Sequence, residues 1–320
     1  MRRSLATDIA TLGLALAALA SCGREVKPTE PPVSVEVHLK VGGVFTDKAG
    51  ALRGISDLAR DPSGALWVIP ERLALLAKAV TATDGALTWQ TVELQGKPLE
   101  FDGESLTWTG PDTFAIGTEK HQKNRASDRV FLGHLEGGKA VVDATVDMPY
   151  SQWGIAADDN RGIEGICFAH GQLWVGVEHV IDNNGQRFAP LGRYNLQTKN
   201  WTALRILLSS TQGRISALSC LPQADGKVEL WAIERYYGIV RWLRMPLDNA
   251  ATGDVAPFVH ADLAVATTPV AANIPNFEGI AADPAVPGDV WLTNDNDSGG
   301  NVDGPNFLVR LTPTGGKAPP

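Results

Sequence analysis

The phrase "RGIEGICFAHGQLWVGVEH", Arg161–His179, returns in altered form four more times along the chain. "RGISDLARDPSGALWVIPER" begins at Arg53, "DGESLTWTGPDTFAIGTEK" at Asp102, "GRISALSCLPQADGKVELWAIER" at Gly213 and "NFEGIAADPAVPGDVWLTNDND" at Asn276. Each joins a short apolar run, a turn rich in Gly, Pro or Asp, and a second apolar run, which is a β-hairpin signature. The returning runs carry Trp67, Trp174, Trp231 and Trp291, with Phe114 in that place in the second copy. They are apolar throughout rather than alternating, so both faces of these strands need cover. A repeat of this kind outweighs the length of 320 residues as a guide to domain count.

Two weaker strands follow the hairpin, such as "GRYNL" and "TALRILL" in the third copy or "IVRWLRM" and "VAPFVHA" in the fourth. Four antiparallel strands recurring roughly every 47 to 60 residues describe an all-β fold, a β-propeller of four-stranded blades. A sandwich of equal strand number would not need the hairpin phrase to recur. The fifth copy ends one strand short, after "NFLVRLT", while "VSVEVHLKV" at Val33–Val41 precedes the first copy and alternates like an edge strand. Val33–Val41 is therefore expected to pair around Phe307–Leu311 and close the ring, which protects its edges. Five blades result, or six if "VDMPYSQWGIAADDN" hides a degenerate unit.

The first residues join a basic start to an apolar stretch, Ile9–Ala20, and small residues before Cys22. This is the pattern of a signal peptide over residues 1–21, too short for a comfortable membrane span. Leu19-Ala20-Ser21-Cys22 resembles the lipobox of bacterial lipoproteins, which implies lipidation of Cys22. Gly23 after it then implies the periplasmic face of the outer membrane or the cell surface as the destination. Simple secretion, with Cys22 an incidental thiol, is the alternative. Residues 22–32 are polar and Pro-rich and read as a tether, 33–312 as a single propeller domain, and 313–320 as a disordered tail. A formal charge of −8 without any Lys/Arg run argues against nucleic acid as a partner. Membrane contact is expected only through the lipid, and the chain is expected to be a monomer.

In a hairpin the residue that starts the first strand and the one that ends the second lie at the same end. Glu104, Glu164 and Glu278 occupy the starting position in three copies, with Ser56 and Ser216 in the other two. Glu71, Glu119, Glu178, Glu234 and Asp295 occupy the ending position. One mouth of the channel therefore collects carboxylates, whose mutual repulsion needs cations. Some are internal: Glu71-Arg72, Glu119-Lys120, Glu178-His179 and Glu234-Arg235 are adjacent, and Arg53, Arg161 and Arg214 precede starting positions. The alternative is a divalent metal, and an all-oxygen set suits Ca²⁺. "NDNDSGGNVDG" adds Asp295, Asp297 and Asp303 at the odd spacing of a calcium loop with Gly299 and Gly300, although Asn306 replaces the terminal Glu of an EF-hand. A solvated hairpin loop is the other reading of it, and "IDNNGQR" at Ile181 reads as turn chemistry.

Cys167 and Cys220 lie on first strands of adjacent copies, but one position out of step. Alternation then points them to opposite faces, which favours buried thiols over a disulfide. Of the six histidines, only His121 and His179 fall near the mouth, as proton carriers or as incidental rim residues. No nucleophile elbow, P-loop or zinc spacing is present.

The combination of "EGI", an apolar hairpin, "LW" and a terminal Glu resembles the phytase-like, or "esterase-like activity of phytase", β-propeller domain of exported bacterial proteins. The resemblance spans about Arg53–Thr312 and rests on Glu104, Glu164 and Glu278 with Glu71, Glu119, Glu178 and Glu234. It implies a calcium-associated hydrolase of phosphate or other esters, although the Asp-rich calcium platform of propeller phytases is not recognisable residue by residue. In that reading calcium on the mouth acids polarises the substrate, Arg53, Arg72, Arg161 and Arg235 orient a small anionic or ester ligand, and Glu104, Glu164, Glu278 and His179 are the catalytic candidates. The alternative is a non-catalytic binding module or scaffold with a structural calcium or a ring of ion pairs.

Overall fold

The computed structural model describes residues 34–96, 101–120, 122–156, 161–248, 252–267, 275–286, 288–296 and 305–314. Their regular structure is almost entirely strand. In chain order they are β1 (Val35–Glu36), β2 (Leu39–Asp47), β3 (Ile55–Arg60), β4 (Leu66–Pro70), β5 (Leu75–Thr81) and β6 (Leu87–Gln95). Next come β7 (Gly103–Trp108), β8 (Thr113–Thr118), β9 (Ser127–Glu136) and β10 (Lys139–Pro149), then a 3-10 turn at Tyr150–Trp153. The third stretch holds β11 (Ile163–Ala169), β12 (Gln172–Val177), β13 (Ile181–Asn183), β14 (Gln186–Asn195) and β15 (Asn200–Leu207). The fourth holds β16 (Arg214–Pro222), β17 (Lys227–Tyr236), β18 (Ile239–Asp248), β19 (Gly253–Val255) and β20 (Val259–Asp262), followed by α1 (Leu263–Thr267). Last are β21 (Asn276–Ala282), β22 (Val290–Asp295) and β23 (Asn306–Pro313).

Pairing sorts them into antiparallel groups of four, β3-β4-β5-β6, β7-β8-β9-β10, β11-β12-β14-β15, β16-β17-β18-β20 and β21-β22-β23-β2. The "IDNNGQR" segment is a two-residue hairpin turn, with Asn184 and Gly185 both at positive φ between β13 and β14. Burial falls from the first strand of a group to the last. All six residues of β7 are buried, whereas β6 and β10 each bury two residues, near their ends. The first strands pack on one another in the order β3, β7, β11, β16, β21 and back to β3. Buried apolar side chains form clusters that each draw on two neighbouring groups, as Ile69 and Ile116 do between the first and second, or Trp174 and Leu230 between the third and fourth. The apolar second strands are thus covered on both faces by neighbouring groups.

Where first strands meet, the residue after the starting position faces the backbone nitrogen of the next first strand. A Cβ on Gly165 would stand 2.7 Å from the Leu218 nitrogen, and one on Gly279 2.6 Å from that of Leu58. The glycine of "EGI" therefore permits this close approach. Asp57 takes the position in the first copy and uses it differently, its carboxylate accepting the Leu106 N–H at 2.8 Å.

The outer edges are tied as well. β6 pairs in parallel with β10, β15 with β19 and β20 with β1, and Thr46 bridges to Ala86. Between the second and third groups two indoles take over, Trp153 donating to the Leu204 carbonyl at 2.6 Å and Trp201 to the Asp147 carbonyl at 2.9 Å.

Two sequence expectations are corrected here. The strand that pairs with β23 is Leu39–Asp47 rather than Val33–Val41, running from Leu39 opposite Pro313 to Asp47 opposite Asn306. Gly42 and Gly43 break its apolar alternation and hide it, while Val35–Glu36 lies on β20 instead. Cys167 and Cys220 form a disulfide, with Cα atoms 5.3 Å apart. Neighbouring groups stack face to face, so side chains that meet across the boundary must leave opposite faces of their own sheets. The one-position offset that argued against the bond is what allows it.

Candidate functional site

Every first hairpin breaks register at its starting position. The shifts fall between Ile55 and Asp57, Gly103 and Ser105, Ile163 and Gly165, Ile215 and Ala217, and Phe277 and Gly279. The extra residue is Ser56, Glu104, Glu164, Ser216 or Glu278 in turn. A bulge takes its residue out of the ladder and re-aims its side chain, here at the same end of all five groups.

The acids share one electrostatic neighbourhood. Burial raises Glu104 well above the carboxylate range, and Asp102, Glu71, Glu119 and Glu278 raise it further. Burial does the same to Glu164, with Glu178, Glu104, Glu119 and Glu278 adding to it. Glu278 is pushed up to about 8 by burial, against the pull of Arg235. Glu119 reaches about 7, burial outweighing Arg125, and Glu178 is raised by burial despite Arg214, Arg235 and Arg161.

Of the cations that meet these acids, Arg214 and Arg235 were expected from sequence and Arg125 was not. Arg125 donates to Glu119 at 2.8 Å and to Asp128 at 2.7 Å, and Tyr150 donates its hydroxyl proton to Asp128. Arg214 reaches Glu178 at 3.4 Å from the next group. Arg235 donates to Glu278 at 2.6 Å and also to Asn276, whose amide donates to Glu278 at 2.9 Å and Asp295 at 3.1 Å. Adjacent residues on a strand face opposite ways, so Arg235 serves the neighbouring group rather than Glu234. Among the adjacent pairs expected from sequence, Glu71 and Arg72 do meet at 3.2 Å, with Arg72 largely in solvent. Arg53 is exposed, and Arg161 and His179 are half-buried.

Glu234 does not join the mouth set. Its carboxylate accepts the backbone N–H and the hydroxyl of both Ser209 and Ser210, at 2.5–3.0 Å, and is fully buried. Asp297, Asp303, Gly299, Gly300 and His121 lie outside the described residues. Arg125 and the Ser209-Ser210 pair were missed from sequence because neither stands in the repeated phrase, and Asn276, which opens the fifth copy, was passed over because only charged groups were sought beside the acids.

A family model, phytase-like and described as esterase-like activity of phytase, matches residues 50–298. The chain belongs to the phytase-like family. Comparison with curated proteins returned no match. Among solved structures, this phytase-like chain is similar to the Podospora anserina α-L-arabinofuranosidase PaAbf62A, at 12% identity and TM-score 0.50, over 88% of this chain and 99% of that one. It is also similar to a Streptomyces coelicolor aldose sugar dehydrogenase in its PQQ-bound form, at 15% identity and TM-score 0.47, over 89% and 100%. These likenesses concern the fold, which is all-β with curled sheets and propeller-like neighbours.

The acids at the bulged end do not fit the expected calcium set as they stand. Calcium takes six to eight oxygens, yet Glu119, Glu178 and Glu278 are each bound by a guanidinium and Glu234 by serines. Among the described residues no three His, Cys, Asp or Glu side chains are grouped to hold a metal ion.

Proposed function

We propose that this phytase-like chain hydrolyses small esters, with Glu104 and Glu164 as its working pair of acids. The reading takes the five strand groups as blades of one closed propeller, completed by β2, with the bulged residues at one mouth of its channel. The observation that carries it is a contrast within that mouth. Glu119, Glu178 and Glu278 are each held by an arginine, while among the described residues Glu104 and Glu164 have no hydrogen-bond or ion-pair partner.

Glu104 is buried and Glu164 half-buried, and two such acids that repel each other titrate as a pair, one staying protonated while the other ionises. The ionised carboxylate takes a proton from water as the water oxygen bonds to the ester carbon or phosphorus. The protonated partner gives its proton to the leaving alcohol oxygen as that bond breaks. Arg235, whose charge reaches Glu164, offsets negative charge as it develops. Export, lipidation at Cys22, a monomeric state and a small ester or anionic ligand belong to the same reading.

The test is turnover of 4-nitrophenyl acetate and 4-nitrophenyl phosphate by wild type, Glu104→Gln and Glu164→Gln. Either substitution is expected to lower kcat/KM by on the order of a hundredfold without lowering the melting temperature. Equal turnover by all three proteins refutes the assignment. A non-catalytic binding module is the second reading, favoured by the arginines that already neutralise three of the mouth acids, and a tight ligand without turnover would select it.

A further inference from the structure

At the edge of the mouth a hollow of about 470 Å³ opens between Glu178, Arg214, Arg235, Tyr236, Tyr237 and Asn276. Its wall contains the hairpin between β17 and β18, where Tyr236 pairs with Ile239 and only Tyr237 and Gly238 form the turn. Tyr237 takes φ +40°, a left-handed conformation costly for a bulky side chain, although a glycine stands next to it. Tyr237 is 87% exposed. A tyrosine held in that turn with its ring in water gains nothing from packing in the core. Tyr236 meets it edge-on, ring centroids 4.7 Å apart, and the Arg214 guanidinium lies 5.4 Å from the Tyr236 ring.

The charges narrow the occupant. Arg214 is balanced by Glu178 and Arg235 by Glu278, so little positive charge remains for a multiply charged anion. The Nε of Arg235 lacks an acceptor but is buried in the wall, while the Arg214 and Arg235 side chains each keep 24% of their surface exposed. A flat ring for the tyrosine and a single acidic group for the arginines satisfy both features.

We propose that this hollow is a ring-binding subsite for an aromatic monocarboxylate, the acid released from an aromatic ester, with Tyr237 as its stacking face and Arg214 and Arg235 as its carboxylate contacts. The proposal rests on the reading of the mouth as the ligand-binding end, and not on turnover there.

Benzoate, benzamide, cyclohexanecarboxylate and phenyl phosphate serve as probes, titrated by calorimetry and ligand-observed NMR against wild type, Tyr237→Ala, Tyr237→Phe and Arg214→Gln. Benzoate is expected to bind more tightly than the other three. Tyr237→Ala should weaken it by roughly fivefold to tenfold, Tyr237→Phe by less than about twofold, and Arg214→Gln should erase the preference for the acid over benzamide. Because Tyr237 is exposed, its variants report binding without a folding defect. Benzoate that fails to bind at millimolar concentration, or that binds Tyr237→Ala as well as wild type, overturns the subsite. Benzoate binding lost in Tyr237→Ala upholds it even where 4-nitrophenyl esters are not hydrolysed, a result that would refute only the hydrolase.

Discussion

Acid should stabilise this protein over the range in which the mouth glutamates titrate. Glu119 rises from 4.5 to about 7 and Glu278 from 4.5 to about 8, both chiefly through burial. Each binds its proton more tightly when folded, so its contribution is complete below the unfolded value of 4.5 and is lost as pH climbs through the folded value. Between about pH 5.5 and about pH 8.5 the loss comes to about 2 kcal/mol for Glu119 and about 3 kcal/mol for Glu278, taken as independent sites. Glu104, Glu164 and Glu178 move the same way. For a chain of this length about 5 kcal/mol corresponds to a melting temperature lower by roughly 8–10 °C at the alkaline end. Calorimetry at constant ionic strength measures it, and Glu119→Gln should remove about two fifths of the drop. A melting temperature that is flat or rises from about pH 5.5 to about pH 8.5 would refute the argument that burial governs these acids.

The disulfide closes a separation of 53 residues, so Cys167→Ser with Cys220→Ser should cost about 4 kcal/mol in urea unfolding, and an unchanged midpoint would deny the bond. Asp57→Ala leaves the N–H groups of Leu58 and Leu106 buried without their acceptor and should cost roughly 2–4 kcal/mol, read from the same curves. Calcium at millimolar concentration should leave the melting temperature unchanged. A rise reversed by chelator would refute the argument that arginines and serines already occupy these acids.

The hairpins could be read from the sequence because their signals are local: an apolar run, a turn and a second run with Trp. The acids at starting positions could be found the same way. Their bulges could not, since a register shift exists only once two strands are paired. Arg214 with Glu178 and Arg235 with Glu278 are contacts between different groups, and adjacency in sequence pointed instead to His179 and Glu234. Glu234 looks like the other ending acids, and only the loop carrying Ser209 and Ser210 separates it from them. The cysteines show the converse error, in which alternation was read correctly and the stacking of neighbouring sheets was left out.

The pairing of β2 with β23 also fixes a direction. β21 starts at its bulge, among the acids, and the antiparallel order β21-β22-β23 brings Asn306 to that end and Pro313 to the other. Leu39 sits opposite Pro313, and Thr314 donates its N–H to the His38 carbonyl at 2.9 Å. Both ends of the described chain therefore depart from the side opposite the acids. A linker, tag or solid support attached before residue 34 or after residue 314 leaves the mouth facing outward, so an immobilised layer keeps its acids toward the solution.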